Sequence, residues 1–111
     1  MRNTSLIISF LITIFLHLSS PAFASPAEEF KIYMQTWDDN IALASKYLKE
    51  AEKDFKQGDE LQGCVNQRKA SIYGIAGTES LIKAFKISGS TDDLSNIYAG
   101  LKKWKELRDF C

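Results

Sequence analysis

After position 25, apolar residues recur at helical spacing with little interruption. Phe30, Met34, Trp37, Ile41, Ala44, Leu48, Ala51 and Phe55 alternate steps of four and three, a heptad seam that predicts one long helix. Lys31, Asp38, Lys46, Lys49, Glu52 and Lys53 fall between them on the solvated side. Ser25-Pro26-Ala27-Glu28 supplies the start: a hydroxyl to accept from a free amide, proline at the first helical position, and Glu28 able to reach back to the cap. Gln57-Gly58-Asp59 supplies the stop, with Gly58 suited to the left-handed position and Asp59 to capping the next helix. The first helix is therefore expected over residues 26–57.

A second helix is expected over 59–87. Its apolar residues Leu61, Cys64, Val65, Ile72, Ile75, Ala76, Leu81, Ile82 and Phe85 occupy more than one stripe, as a middle helix touching two neighbours would need. Ser88-Gly89-Ser90 marks a turn, and Ser90-Thr91-Asp92-Asp93 offers a cap and two carboxylates to the positive end of a third helix over 91–110. There Leu94, Ile97, Leu101, Trp104 and Leu107 repeat at helical spacing. No proline follows Pro26. Three helices joined by short turns predict an all-α, antiparallel up-down-up three-helix bundle. The helix-Gly-Asp-helix turn at residue 58 resembles that of a tetratricopeptide unit, although one unit cannot build such an array.

Residues 1–24 read as a removable signal peptide. Arg2 precedes the apolar run Leu6–Leu18, whose 13 residues would span roughly 20 Å as a helix, short of the ~30 Å hydrocarbon core. Ser19-Ser20-Pro21 then breaks the helix, and Ala22-Phe23-Ala24 has the small-x-small pattern of a cleavage site. Cleavage after Ala24 leaves residues 25–111 as a single domain with no later membrane span, placed in the periplasm or released from the cell.

Composition then narrows the function. The chain has 14 basic and 14 acidic side chains and one histidine. Leader removal takes Arg2 and His17. A near-neutral, mixed-sign surface is not the footprint of a nucleic-acid binder. Without histidine the mature chain lacks a Ser-His-Asp or Cys-His mechanism and an imidazole ligand for zinc or haem. No calcium-type loop is present, so neither metal nor other cofactor is expected. The acidic pairs Asp38-Asp39 and Asp92-Asp93 point to different sides of a helix and do not converge. No enzyme is expected.

Outside the cytosol, the two cysteines read as a disulfide. In an antiparallel hairpin, residues at one height have numbers with a constant total, about 177 for a turn near residues 88–89. Cys64 and Cys111 total 175, so the thiols should meet at the open end of the second hairpin. Closing that loop is worth about 4 kcal/mol on the loop-entropy model.

Several residues are candidates for binding. Ala70, Gly74 and Gly77 share a face of helix two, and two glycines inside a helix cost roughly 1 kcal/mol each against alanine. The height rule sets both glycines beside helix three. They either permit close packing of Trp104 and Tyr98 or floor a cleft with Tyr73, Tyr98 and Trp104. Tyr33 and Tyr47 lie off the main seam with Asn40 between them. That row serves as a second internal contact or as exposed anchors for another protein. Arg68 and Glu79 interrupt the apolar pattern, and Arg68 falls near the height of Asp109, which predicts an interhelical ion pair.

Two functions fit these features. The first is a non-catalytic helical protein of the cell envelope that binds another protein, in the manner of an inhibitor, immunity protein or assembly accessory. The second is a small-molecule binder using the cleft between helices two and three. A contiguous exposed apolar patch favours the first, and an enclosed pocket the second.

Overall fold

A computed structural model of the chain describes residues 25–111; the expected leader and its cleavage site lie outside the described residues. Three helices account for most of them: α1 over Pro26–Lys56, α2 over Glu60–Ser88 and α3 over Leu94–Phe110. They run antiparallel, with α1 and α3 both packed on α2. No Cα of α1 comes within 8 Å of one in α3, so α2 is the spine of the bundle. Helices of 31 and 29 residues are also far longer than the two that share a 34-residue tetratricopeptide unit.

The first two helices begin and end where local chemistry directs. Ser25 Oγ accepts from the Glu28 amide at 3.2 Å. Asp59 Oδ1 accepts from the Gln62 amide at 3.1 Å, capping α2. Gly58 and Gly89 both sit in the left-handed region, at φ 81° and 76°, where a side chain would be strained. The third helix departs from expectation. It starts at Leu94 rather than at 91, and its cap residue Asp93 makes no side-chain capping bond. Residues 91–93 instead form a turn closed by the Leu94 amide on the Thr91 carbonyl at 3.2 Å.

The buried set is made of small residues. Ala44 and Ala51 of α1 and Ala70, Ala84 and Ile82 of α2 form the apolar core, beside Gly63, Asn66, Ser71, Gly74, Gly77, Thr78 and Ser80. The bulky members of the α1 seam are only partly covered, and Phe55 remains 39% exposed. Small side chains let two helix backbones approach closely, so bulky neighbours splay to the rim of the contact. Two of the buried hydroxyls bond within their own helix: Ser71 donates to the Gln67 carbonyl at 2.8 Å and Thr78 to the Gly74 carbonyl at 2.7 Å. Among the described residues no buried side-chain nitrogen or oxygen lacks a partner.

Cys64 and Cys111 are bridged, with Cα atoms 5.6 Å apart. The bridge closes the open end of the α2–α3 hairpin, opposite the turn at Gly89, as the height rule requires. Among the described residues no helix is long and apolar enough to cross a membrane.

Candidate functional site

The glycines of α2 serve two different neighbours. A methyl group at Gly74 would fall inside the indole of Trp104, 2.6 Å from Cε3 and closer still to Cδ2 and Cε2. Trp104 therefore lies directly on the α2 backbone, and the notch at Gly74 is filled. Gly77 does not face α3 as the height rule suggested. Its missing methyl would meet Asn40 Cβ at 3.1 Å, and Ile41 and the Trp37 carbonyl at 3.4 Å, all on α1. A step of three residues leaves the two glycines only about 60° apart around the axis, so they stand at the two edges of one face, Gly74 toward α3 and Gly77 toward α1.

The aromatic candidates separate in the same way. Tyr73 stacks on Tyr47 across the α1–α2 contact, with ring centroids 5.7 Å apart and planes within 6°. Lys46 and Lys69 lie 5.7 and 5.6 Å from the Tyr47 centroid. Lys83 of α2 stands 5.7 Å over Tyr33, and Lys86 stands 5.9 Å from Tyr98. Asn40 donates to the Thr36 carbonyl at 2.7 Å and presses its Cβ toward Gly77. The row Tyr33, Asn40 and Tyr47 is thus the second internal contact of α1 on α2. Tyr73, Tyr98 and Trp104 do not share a cleft. The hollow beside Trp104 is an open groove where α1 and α3 diverge, lined by Leu48, Gly100, Lys103 and Leu107.

The expected ion pair is replaced by a shorter connection. Asp109 takes its own neighbour Arg108, with Nε to Oδ1 at 2.9 Å, and Arg68 reaches only the main-chain oxygen of Cys111 at 3.5 Å. Residues adjacent in the chain meet with less ordering of side chains than residues on separate helices, so the local pair wins. The hydrogen bond from Arg108, with a smaller contribution from the charge of Arg68, holds the Asp109 carboxyl below its usual range; the same bond raises the Arg108 guanidinium, and both groups are exposed.

Periodicity alone did not point to the outer face of α2. Leu61, Val65 and Ile72 were expected to pack on a neighbour, but they are 80%, 40% and 53% exposed. With Arg68 they form one row at i, i+4, i+7 and i+11, the spacing of a helix seam. The row borders the disulfide, and Leu61, Cys64, Val65, Arg68, Lys69, Ile72 and Cys111 line one shallow, open groove. A second hollow continues from it past Arg68, Ile72, Arg108, Asp109 and Cys111. The signal was present in the sequence: two apolar stripes on α2 already face α1 and α3, and a third has no helix left to meet.

Charge is also unevenly placed. The α2 and α3 segments carry eight basic and four acidic residues, whereas α1 carries five basic and seven acidic ones. Asp59, Asp92 and Asp93 in the flanking turns bring residues 57–111 to eight basic and seven acidic side chains, so the excess of cations is local to the two helices. Among the described residues no group of three or more His, Cys, Asp or Glu side chains is placed to hold a metal ion. Comparison with protein-family models, with curated proteins and with solved structures returns no match, so the reading of this chain rests on its own residues.

Proposed function

We propose that this chain is a non-catalytic, exported helical protein that binds another protein of the cell envelope. The exposed row Leu61, Val65 and Ile72, with Arg68 set into it, beside the Cys64–Cys111 bridge carries the reading. Three large aliphatic side chains in one seam are what a partner's helix or loop would cover, and apolar patches of this kind mark interaction surfaces. The disulfide fits an oxidising compartment, and the leader-like residues 1–24 supply the route there. A small-molecule binder draws less support, because Trp104 fills the notch at Gly74 and the hollows on the surface are open.

Affinity capture of the mature, oxidised protein from envelope and secreted fractions tests this, with Ile72→Asp as the paired variant. One stoichiometric protein lost with Ile72→Asp is the expected result. Equal capture by both forms would move the interface elsewhere, and no capture from either fraction would remove the reading.

A further inference from the structure

We infer that the groove along α2 takes an acidic amphipathic helix of the partner protein. The inference rests on the protein-binding reading and adds the partner's chemistry. Leu61 and Ile72 are eleven residues apart, which is about 16 Å, or three helical turns. The groove lies between the α2 row and the bridge to the end of α3. A ridge of side chains from a third helix seats in such a channel, with apolar anchors at i, i+3 or i+4, and i+7.

Charge selects the occupant. Three cations line the two continuous hollows, Arg68, Lys69 and Arg108, against one carboxylate, Asp109. Asp109 is already bonded to Arg108 at 2.9 Å. Arg68 stands in the middle of the apolar row without a carboxylate in direct ion-pair contact; it bonds the Cys111 oxygen at 3.5 Å, and its charge acts at longer range on Asp109. Lys69 lies against the Tyr47 ring, which leaves its charge in place. Covering the row with apolar atoms alone would strip water from a guanidinium whose nearest carboxylate, Asp109, is already bonded to Arg108, so a carboxylate brought by the partner favours the complex. A second copy of this chain fits poorly, because overlapping the apolar stretch with itself sets Arg68 and Lys69 within a turn of their counterparts. An anionic lipid surface is the competing occupant, and the titration with vesicles decides against or for it.

The test uses two synthetic amphipathic helical peptides with the same leucine seam, one flanked by glutamate and the other by lysine. They are titrated onto the oxidised protein alongside vesicles containing phosphatidylglycerol. Tighter binding of the glutamate peptide by about tenfold or more is expected, weakening as salt rises from about 50 to about 500 mM. Arg68→Glu should reverse the preference, while Lys49→Glu on α1 leaves it unchanged. Equal binding of the two peptides, binding of neither, binding to the vesicles alone, or a protein dimer that occludes Ile72 would each overturn the inference. A photo-crosslinker placed at Ile72 in the envelope extract separates the two levels. A protein captured there despite failure of the glutamate peptide sinks only the acidic-helix inference. Crosslinkers at Ile72, Tyr33 and Lys103 that all capture nothing sink the protein-binding reading itself.

Discussion

The α1–α2 and α2–α3 hairpins share a helix and are held together by different means. Along α1–α2, contact is continuous. Phe55 lies over Gly63, Asn66 donates to Asp54 at 2.6 Å, Tyr47 stacks on Tyr73, and Gly77 admits Asn40 and Ile41. Along α2–α3, α3 has only 17 residues and none is fully buried. It is fixed at three points: Trp104 on Gly74, Gln67 donating to the Leu107 carbonyl at 3.2 Å, and the disulfide. One hairpin is kept by packing along its length, the other by a few anchors and a covalent bond. A short helix buries too little apolar surface to offset the entropy of ordering it, so a crosslink that narrows the unfolded ensemble supplies the difference.

Removing the crosslink is the strongest way to break this comparison. Cys64→Ser with Cys111→Ser should cost about 4 kcal/mol in chemical denaturation. Hydrogen exchange should then show lost protection confined to α3, with α1 and α2 still protected. Uniform loss across all three helices would show that the hairpins are not separable.

Gly74→Ala attacks the main packing anchor of α3. Its methyl collides with the indole of Trp104, so a net loss of about 2 kcal/mol is expected, within the usual range for overpacking. Trp104 fluorescence should shift as the ring is displaced. In the first hairpin, Asn66→Ala removes the 2.6 Å bond to Asp54 and should cost about 1.5 kcal/mol by urea unfolding. It should leave α3 protection unchanged. Gly100→Ala goes the other way. No atom lies within 4 Å of the added methyl, so better helix propensity should raise stability by about 0.5–1 kcal/mol.

The smallest effect concerns the exposed pair at the end of α3. Asp109 titrates below its usual range because Arg108 donates to it. Any stability from the pair is present above the unfolded carboxyl pKa and disappears as pH falls through the lowered folded value. Arg108→Ala should return the Asp109 carboxyl toward its ordinary range in an NMR titration, with a marginal change in melting temperature.

What was legible in the sequence followed the physics of each element. The α1 seam and both glycine turns could be read because heptad spacing and left-handed glycine are local signals. The antiparallel layout followed from the turn positions, and the bridge from two cysteines in a chain read as exported, with the turn positions setting where they meet. The working face of α2 was harder to read. Its contacts are made by Gly63, Asn66, Ala70, Ser71 and Thr78, small or polar residues that hydropathy does not mark as core, while the conspicuous Leu61, Val65 and Ile72 face outward. Glycine placement was half readable: Gly74 obeyed the height rule, and Gly77 failed it because height says nothing about direction around the axis. The Arg68–Asp109 pair failed because Arg108, one residue away, competes for the same carboxylate.

The disulfide also sets an order of events. The chain contains two cysteines, so only one intramolecular pairing exists and no shuffling of bridges is required. Cys64 and Cys111 are separated by 47 positions, and the second follows all three helices. As the chain emerges N-terminus first, the long α1–α2 hairpin is complete while Cys64 is still a lone thiol. The short helix is therefore the last element that oxidation can fasten, because Cys111 emerges after every residue of the α1–α2 hairpin.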